Sequence, residues 1–215
     1  MAQTGDQRAS DQKKLAIGVS IGLNYANLDA NSSFPTFGPN DAAKLGPIAG
    51  GDIEYKFHQK ISVQSGISYV NAGAKTEEFI ATDDFGNIVG SFYFVQDLKY
   101  LEFPVVVRYK ISVSSLDLFL TGGPNIGVLL SAKEEKHADY EGSPPYSENV
   151  KDMFNSINVI LGVGGGALFP LGSSIDLRVE VKYGRGLVNQ IKEEGDTRFQ
   201  KSEDIRFIST VSYAL

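Results

Sequence analysis

Cysteine is absent from the 215 residues. Its absence removes disulfides, thiolate metal sites and thiol nucleophiles. Tryptophan is absent as well, and histidine occurs twice, at His58 and His137. A basic excess is missing: 20 Lys and Arg stand against 26 Asp and Glu, a net charge of -6. That balance lacks the electrostatic footprint of a nucleic-acid binder. No apolar run is long enough for a transmembrane helix. The lack of such a run says nothing against a membrane barrel, whose strands alternate so that their hydropathy averages away. The opening "MAQTGDQRASDQKK" has no apolar core of the kind a signal peptide carries. Two readings of it are open. The chain is cytoplasmic, or it is a mature chain that began near Ala2 once a signal was removed. The strand pattern favours the second, and with it the outer membrane of a Gram-negative bacterium. Residues 1–13 read as a flexible tail and 14–215 as one barrel domain.

What the sequence has is alternation. In "SSIDLRVEVKYGRG" (173–186), Ile175, Leu177, Val179, Val181 and Tyr183 alternate with Asp176, Arg178, Glu180 and Lys182. Successive strand side chains point to opposite faces, so one face is greasy and the other charged. Similar period-2 runs predict eight strands near 15–28, 44–57, 61–74, 91–110, 115–131, 154–168, 174–190 and 203–215. The connections alternate too. The turns at 58–60, 112–114 and 170–173 are of hairpin length. The loops at 29–43, 76–90, 132–153 and 191–202 are long and polar. In a meander this places all long loops at one end.

Volume decides which face is inside. One row is bulky and aliphatic on nearly every strand. The other is mostly Gly, Ala and Ser with a few long charged residues. The interior of an eight-stranded barrel is just wide enough for side chains to fill it, so the small row belongs inside. The expected fold is therefore all-β: an eight-stranded antiparallel up-and-down transmembrane β-barrel with short periplasmic turns and long extracellular loops. Asp52, Glu54, Lys56, Glu102, Arg108, Asp176, Arg178, Glu180, Lys182 and Arg206 are expected to form a charge network in a plugged lumen, since buried charges need partners. Tyr55, Phe57, Tyr109, Phe169 and Tyr213 near the short turns, and Tyr25, Tyr69 and Tyr183 nearer the long loops, fit two interfacial aromatic girdles.

With the strands laid out, "GISYVNAGAK" (66–75), "YLEFPVVVRYK" (100–110), "LFLTGGPNIGVLLS" (118–131) and "VKYGRGLVNQI" (181–191) resemble the PorT-like outer membrane β-barrel domain of Bacteroidetes-type bacteria. The resemblance covers about residues 15–215. It implies an exported eight-stranded barrel, in some members linked to protein secretion, and it supplies no catalytic residue. Barrel chains usually end in an aromatic residue. Here Tyr213 is third from last and Leu215, on the apolar row, is last.

Other motifs carry less. "GVGGGA" (162–167) matches a dinucleotide-binding spacing, but a turn follows it instead of a helix. His137, Asp139 and Ser143 share one polar loop, which does not supply the fixed geometry of a triad. "TDDFGN" (82–87) and "KEEGD" (192–196) lack the EF-hand spacing and read as solvated loop tips. "GSPPYS" (142–147) reads as a Pro-rich loop. No catalytic, cofactor or metal residues are assigned. The expected partners are outer membrane lipids and a protein bound through loops 76–90 and 132–153, and no nucleic acid. The function expected is a non-enzymatic envelope element or docking surface. The alternatives are a soluble lipocalin-like barrel holding an apolar ligand, and a lipid acyltransferase or protease acting at the barrel rim.

Overall fold

The computed structural model describes residues 14–30, 42–113, 116–140, 146–192 and 200–215. Their ten strands are β1 (Leu15–Ala30), β2 (Ala42–Lys56), β3 (Ile61–Lys75), β4 (Phe79–Thr82), β5 (Ile88–Val113), β6 (Leu116–Ala138), β7 (Tyr146–Asn149), β8 (Ile157–Pro170), β9 (Ile175–Gly186) and β10 (Gln200–Ala214). All pairings are antiparallel. The short β4 and β7 lie at the two ends of the strand order, and the other eight strands close into a ring through β5–β6. In a closed ring no barrel strand keeps an unpaired edge. The tail at 1–13 lies outside the described residues, as do most of loops 29–43 and 191–202.

Alternation sorts the two faces. On β1, Leu15, Ile17, Val19, Ile21, Leu23 and Tyr25 are exposed, while Ala16, Ser20, Asn24, Ala26 and Leu28 are buried. The same sorting holds on β10, where Ile205, Phe207, Val211 and Tyr213 are exposed and Asp204, Arg206, Thr210 and Ser212 are buried. The protein is thus inside out relative to a water-soluble barrel, and a soluble barrel filled by its bulky row is overturned. An apolar belt running round the whole ring is far larger than any patch a soluble monomer leaves bare. From Leu15 to Tyr25 the belt covers ten residue steps, about 33 Å along the strand, or about 25 Å of height at a barrel strand's usual tilt. That is the height of a bilayer-spanning apolar band.

The small inward residues make room for the long ones. A Cβ on Gly18 would lie 2.9 Å from the Thr210 methyl, 3.0 Å from Asp52 Oδ1 and 3.1 Å from Arg178 Nη2. Any larger residue there would displace the arginine.

The strand ends differ from expectation chiefly at the long-loop end. β5 begins at Ile88 and β6 continues to Ala138, so this pair rises beyond the ring. β4 adds to the outer edge of β5 and β7 to that of β6. The result is a four-stranded arm, β4–β5–β6–β7, standing on the long-loop end. Segments 76–90 and 132–153 read as loop because β4 and β7 have no buried face to mark them. Two other segments expected as strand, 154–155 and 188–190, leave the wall and fold over the lumen.

Candidate functional site

The lumen holds two bonded charge clusters. In the lower one, Arg178 donates from Nη2 to both Asp52 oxygens at 2.8 and 3.0 Å and from Nη1 to Glu54 Oε2 at 2.9 Å. Arg108 donates from Nη1 to the same Glu54 oxygen at 2.5 Å and from Nη2 to Gln64. Ser62 donates to Glu54 Oε1 at 2.6 Å. Arg108 also lies over the Phe119 ring, 4.9 Å from its centroid. In the upper cluster Arg206 grips Glu102 with two hydrogen bonds of 2.5 and 2.9 Å and reaches Asp204 at 2.7 Å. Glu180 sits between the clusters, accepting from Thr121 and lying 3.4 Å from Lys182 Nζ. Planar guanidinium groups suit this work because each can satisfy two carboxylates at once.

Eight of the ten anticipated lumen charges therefore lie in or beside these clusters. Lys56 and Asp176 stand apart, at the short-turn end. They line a cavity of about 470 Å³ with His58, Lys60, Lys110 and Asp117. Asp204 was not anticipated, although its parity with Arg206 on β10 places it inward. Ser62 and Gln64 belong to the small-and-polar row assigned to the lumen, and with Thr121 they join the network as uncharged partners that charge alone does not single out.

The long-loop end is closed. Phe154, 1% exposed, packs with Val150, Leu98, Tyr100, Leu129 and Ala132. It bridges to Ile191 across the mouth. Asn155 ties the two inward segments together: its backbone N–H donates to Gln190 O at 2.7 Å, and its amide donates to Asn189 O and Ile191 O at 2.9 and 3.1 Å. Beneath them Gln190 donates to Tyr100 OH at 3.2 Å, Asn158 to Ser202 at 2.8 Å and Gln200 to Gln96 at 2.8 Å. The sequence pattern places Phe154 and Gln190 on barrel strands and Val150 and Ile191 in loops, and assigns none of them to a plug. Its apolar anchors Val150, Phe154 and Ile191 sit at or beyond strand ends, where alternation gives no sign that they turn inward.

The anticipated girdle residues all lie on the outward row or its turns. Tyr25, Tyr55, Phe57, Tyr109, Phe169, Tyr183 and Tyr213 are exposed, and Tyr69 is half-buried. Tyr55 and Phe57 meet edge to face at 4.8 Å. Above the upper aromatics the outward row turns polar. Asp97 at the base of the arm receives Lys44 and, at 3.4 Å, Lys99. Burial works to raise the Asp97 carboxyl, but the Lys44 ammonium outweighs it and holds the group below the usual carboxylate range.

On the arm, His137 stacks on Tyr93 at 5.0 Å, and its Nε2 lies 3.8 Å from Glu135. Ser143 and most of "GSPPYS" lie outside the described residues, as does most of "KEEGD". Asp83 spends its carboxylate on its own turn, accepting from the Phe85 and Asn87 backbone and the Asn87 amide at 2.8–2.9 Å.

A closed eight-stranded ring with an apolar belt outside, charges paired inside and long loops at one end defines a transmembrane β-barrel. The chain belongs to the outer membrane protein beta-barrel domain family, which matches residues 1–192. It is a protein of the Gram-negative outer membrane. No curated protein matches it. Among solved structures, neisserial surface protein A is similar at 12% identity and a TM-score of 0.46, over 94% of this chain and 97% of that one. OprG of Pseudomonas aeruginosa is similar at 12% identity and 0.43, over 94% and 96%. Ail of Yersinia pestis is similar at 12% identity and 0.40, over 93% and 99%.

Proposed function

We propose that this barrel is a non-enzymatic element of the outer membrane, without an open pore, that works as a docking surface through its extracellular loops 76–90 and 132–153. The filled lumen carries this reading. Phe154 and its neighbours close the extracellular mouth, and below them two guanidinium–carboxylate clusters cross the interior. An ion entering from either side meets bonded side chains instead of a water column. Residues 14–215 act as a single domain. The arm is then the feature built for contact, because it projects past the membrane and carries strands the barrel does not need. The resemblance to PorT-like barrels supports a place beside the protein-secretion machinery of the envelope.

The test is conductance. Refolded protein in a planar bilayer is expected to pass no resolvable current while still showing the heat-dependent gel shift of a folded barrel. Stepwise channels of reproducible size would overturn the plugged reading.

A further inference from the structure

The tip of the arm exposes apolar side chains where lipid cannot cover them. Phe85 is 91% exposed, Ile88 72% and Ile80 66%. On β5 the apolar belt gives way to Asp97 and Lys99, and Ile88 lies nine residues beyond Asp97, about 30 Å further along the strand. The membrane that shields Val19 or Phe207 does not reach them. An exposed apolar cluster outside the bilayer marks an interaction site.

The tip is also held in shape. Asp83 and Asn87 close the turn, with Asp83 N–H donating to Asn87 O at 2.9 Å and Gly86 N–H to Asp83 O at 3.0 Å. Gly86 has φ +83°, a conformation that favours glycine. Behind the tip, Phe79 stacks on Phe92 at 5.3 Å, and Phe92 meets Phe94 edge to face at 5.9 Å. Phe94 is anchored against Leu28 and Ala74 in the barrel mouth. These three rings brace the base of the β4–β5 hairpin against the barrel. A preformed apolar surface loses little conformational freedom on binding.

Charge narrows the partner. Segment 76–90 holds Glu77, Glu78, Asp83 and Asp84 and no Lys or Arg. Four carboxylates around an apolar tip repel an anionic lipid surface and repel the same tip on a second copy. They attract a cationic surface, and electrostatic complementarity steers such encounters.

We infer that the β4–β5 tip docks a cationic protein segment, one that carries Lys or Arg alternating with aliphatic or aromatic side chains. Phe85, Ile80 and Ile88 meet the apolar side chains, and the flanking carboxylates meet the cations. This inference rests on the docking function proposed above and adds the chemistry of the partner.

The experiment uses the full chain in lipid nanodiscs. Three probes are titrated: a ten-residue peptide of alternating Lys and Val or Tyr, the same peptide with Glu for Lys, and vesicles of anionic lipid. The Lys peptide is expected to bind, at least tenfold more weakly after Phe85→Ser with Ile80→Ser, and at least tenfold more weakly when salt rises from 50 to 500 mM. Asp84→Lys with Glu78→Lys is expected to abolish that binding and admit the Glu peptide. The gel shift confirms that each variant keeps its barrel, and Ile88→Ser serves where the double variant does not fold. Preference of the wild type for the Glu peptide or for vesicles overturns the partner chemistry and leaves the docking function standing. Lys-peptide binding that ignores the tip substitutions overturns the site. Failure of all three probes to bind overturns both.

Discussion

Glu54 is the hinge of the lower lumen cluster, and replacing it tests whether that cluster holds the barrel together. Its two oxygens take three hydrogen bonds, from Ser62, Arg108 and Arg178. With Asp52 it balances two guanidinium groups. Glu54→Ala removes one carboxylate and leaves Arg108 and Arg178 sharing Asp52 and Gln64. Breaking a buried pair by deleting one partner costs about 3–5 kcal/mol, because the remaining charge is uncompensated. With a urea dependence of about 2 kcal/mol per molar, the unfolding midpoint drops by about 2 M. The assay is urea titration of protein folded into lipid vesicles, read by the cold gel shift and by tyrosine fluorescence. Ten tyrosines and no tryptophan make the second signal usable. Lys56→Ala is the control, two residues along the same strand but at the open vestibule, with an expected change within about 0.5 kcal/mol. Equal midpoints for the two variants would refute the reasoning. The pair Glu54→Ala and Arg108→Ala should also cost at least about 1 kcal/mol less than the sum of the singles, since contacting partners are coupled.

Three further outcomes are expected. Val19→Lys places a charge in the middle of the outer belt and should cost roughly 2–4 kcal/mol in the same titration, and a neutral result would contradict the position of the belt. Phe154→Ala empties the plug of its largest apolar side chain, a loss of about 3–5 kcal/mol for a core phenylalanine. Hydrogen exchange should quicken at 150–156 and 187–191 while barrel amides stay protected, and equal loss everywhere would mean that plug and wall are one unit. Donation by the Asn87 amide, helped by the backbone N–H groups of Asn87, Phe85 and Gly86, holds the Asp83 carboxyl below the usual carboxylate range. A lowered folded-state value means the turn is stabilised above the unfolded value of about 3.9 and loosens as pH falls through the lower one. Amide NMR of Phe85 and Asn87 should show a midpoint below about 3.9, and a midpoint at or above it would break the assignment.

The barrel was legible because lipid on one side and a narrow lumen on the other make each strand alternate. Ile175 to Tyr183 against Asp176 to Lys182 needs no structure to be read as two faces. Which charges pair was not legible, since Arg178 on β9 meets Asp52 and Glu54 on β2, across the barrel and more than a hundred residues away. Lys56 and Asp176 share the parity of the clustered charges and differ only in height, which alternation does not encode. The arm and the plug were hidden for another reason. Strands β4 and β7 are four residues long and solvated, and the plug depends on isolated apolar residues at no fixed spacing. Local patterns report how a strand meets its surroundings, and these segments take their shape from contacts distant in sequence.

The vestibule at the short-turn end gives the molecule a direction. It opens towards the periplasm, is lined by Lys56, Lys110, Asp117 and Asp176, and stops at the floor formed by Glu54 and Arg108. It is a blind well. In a sealed vesicle a thiol placed at position 176 should react with a membrane-impermeant reagent from one side only. In a chain without native cysteine that single label would report which way round each barrel has inserted.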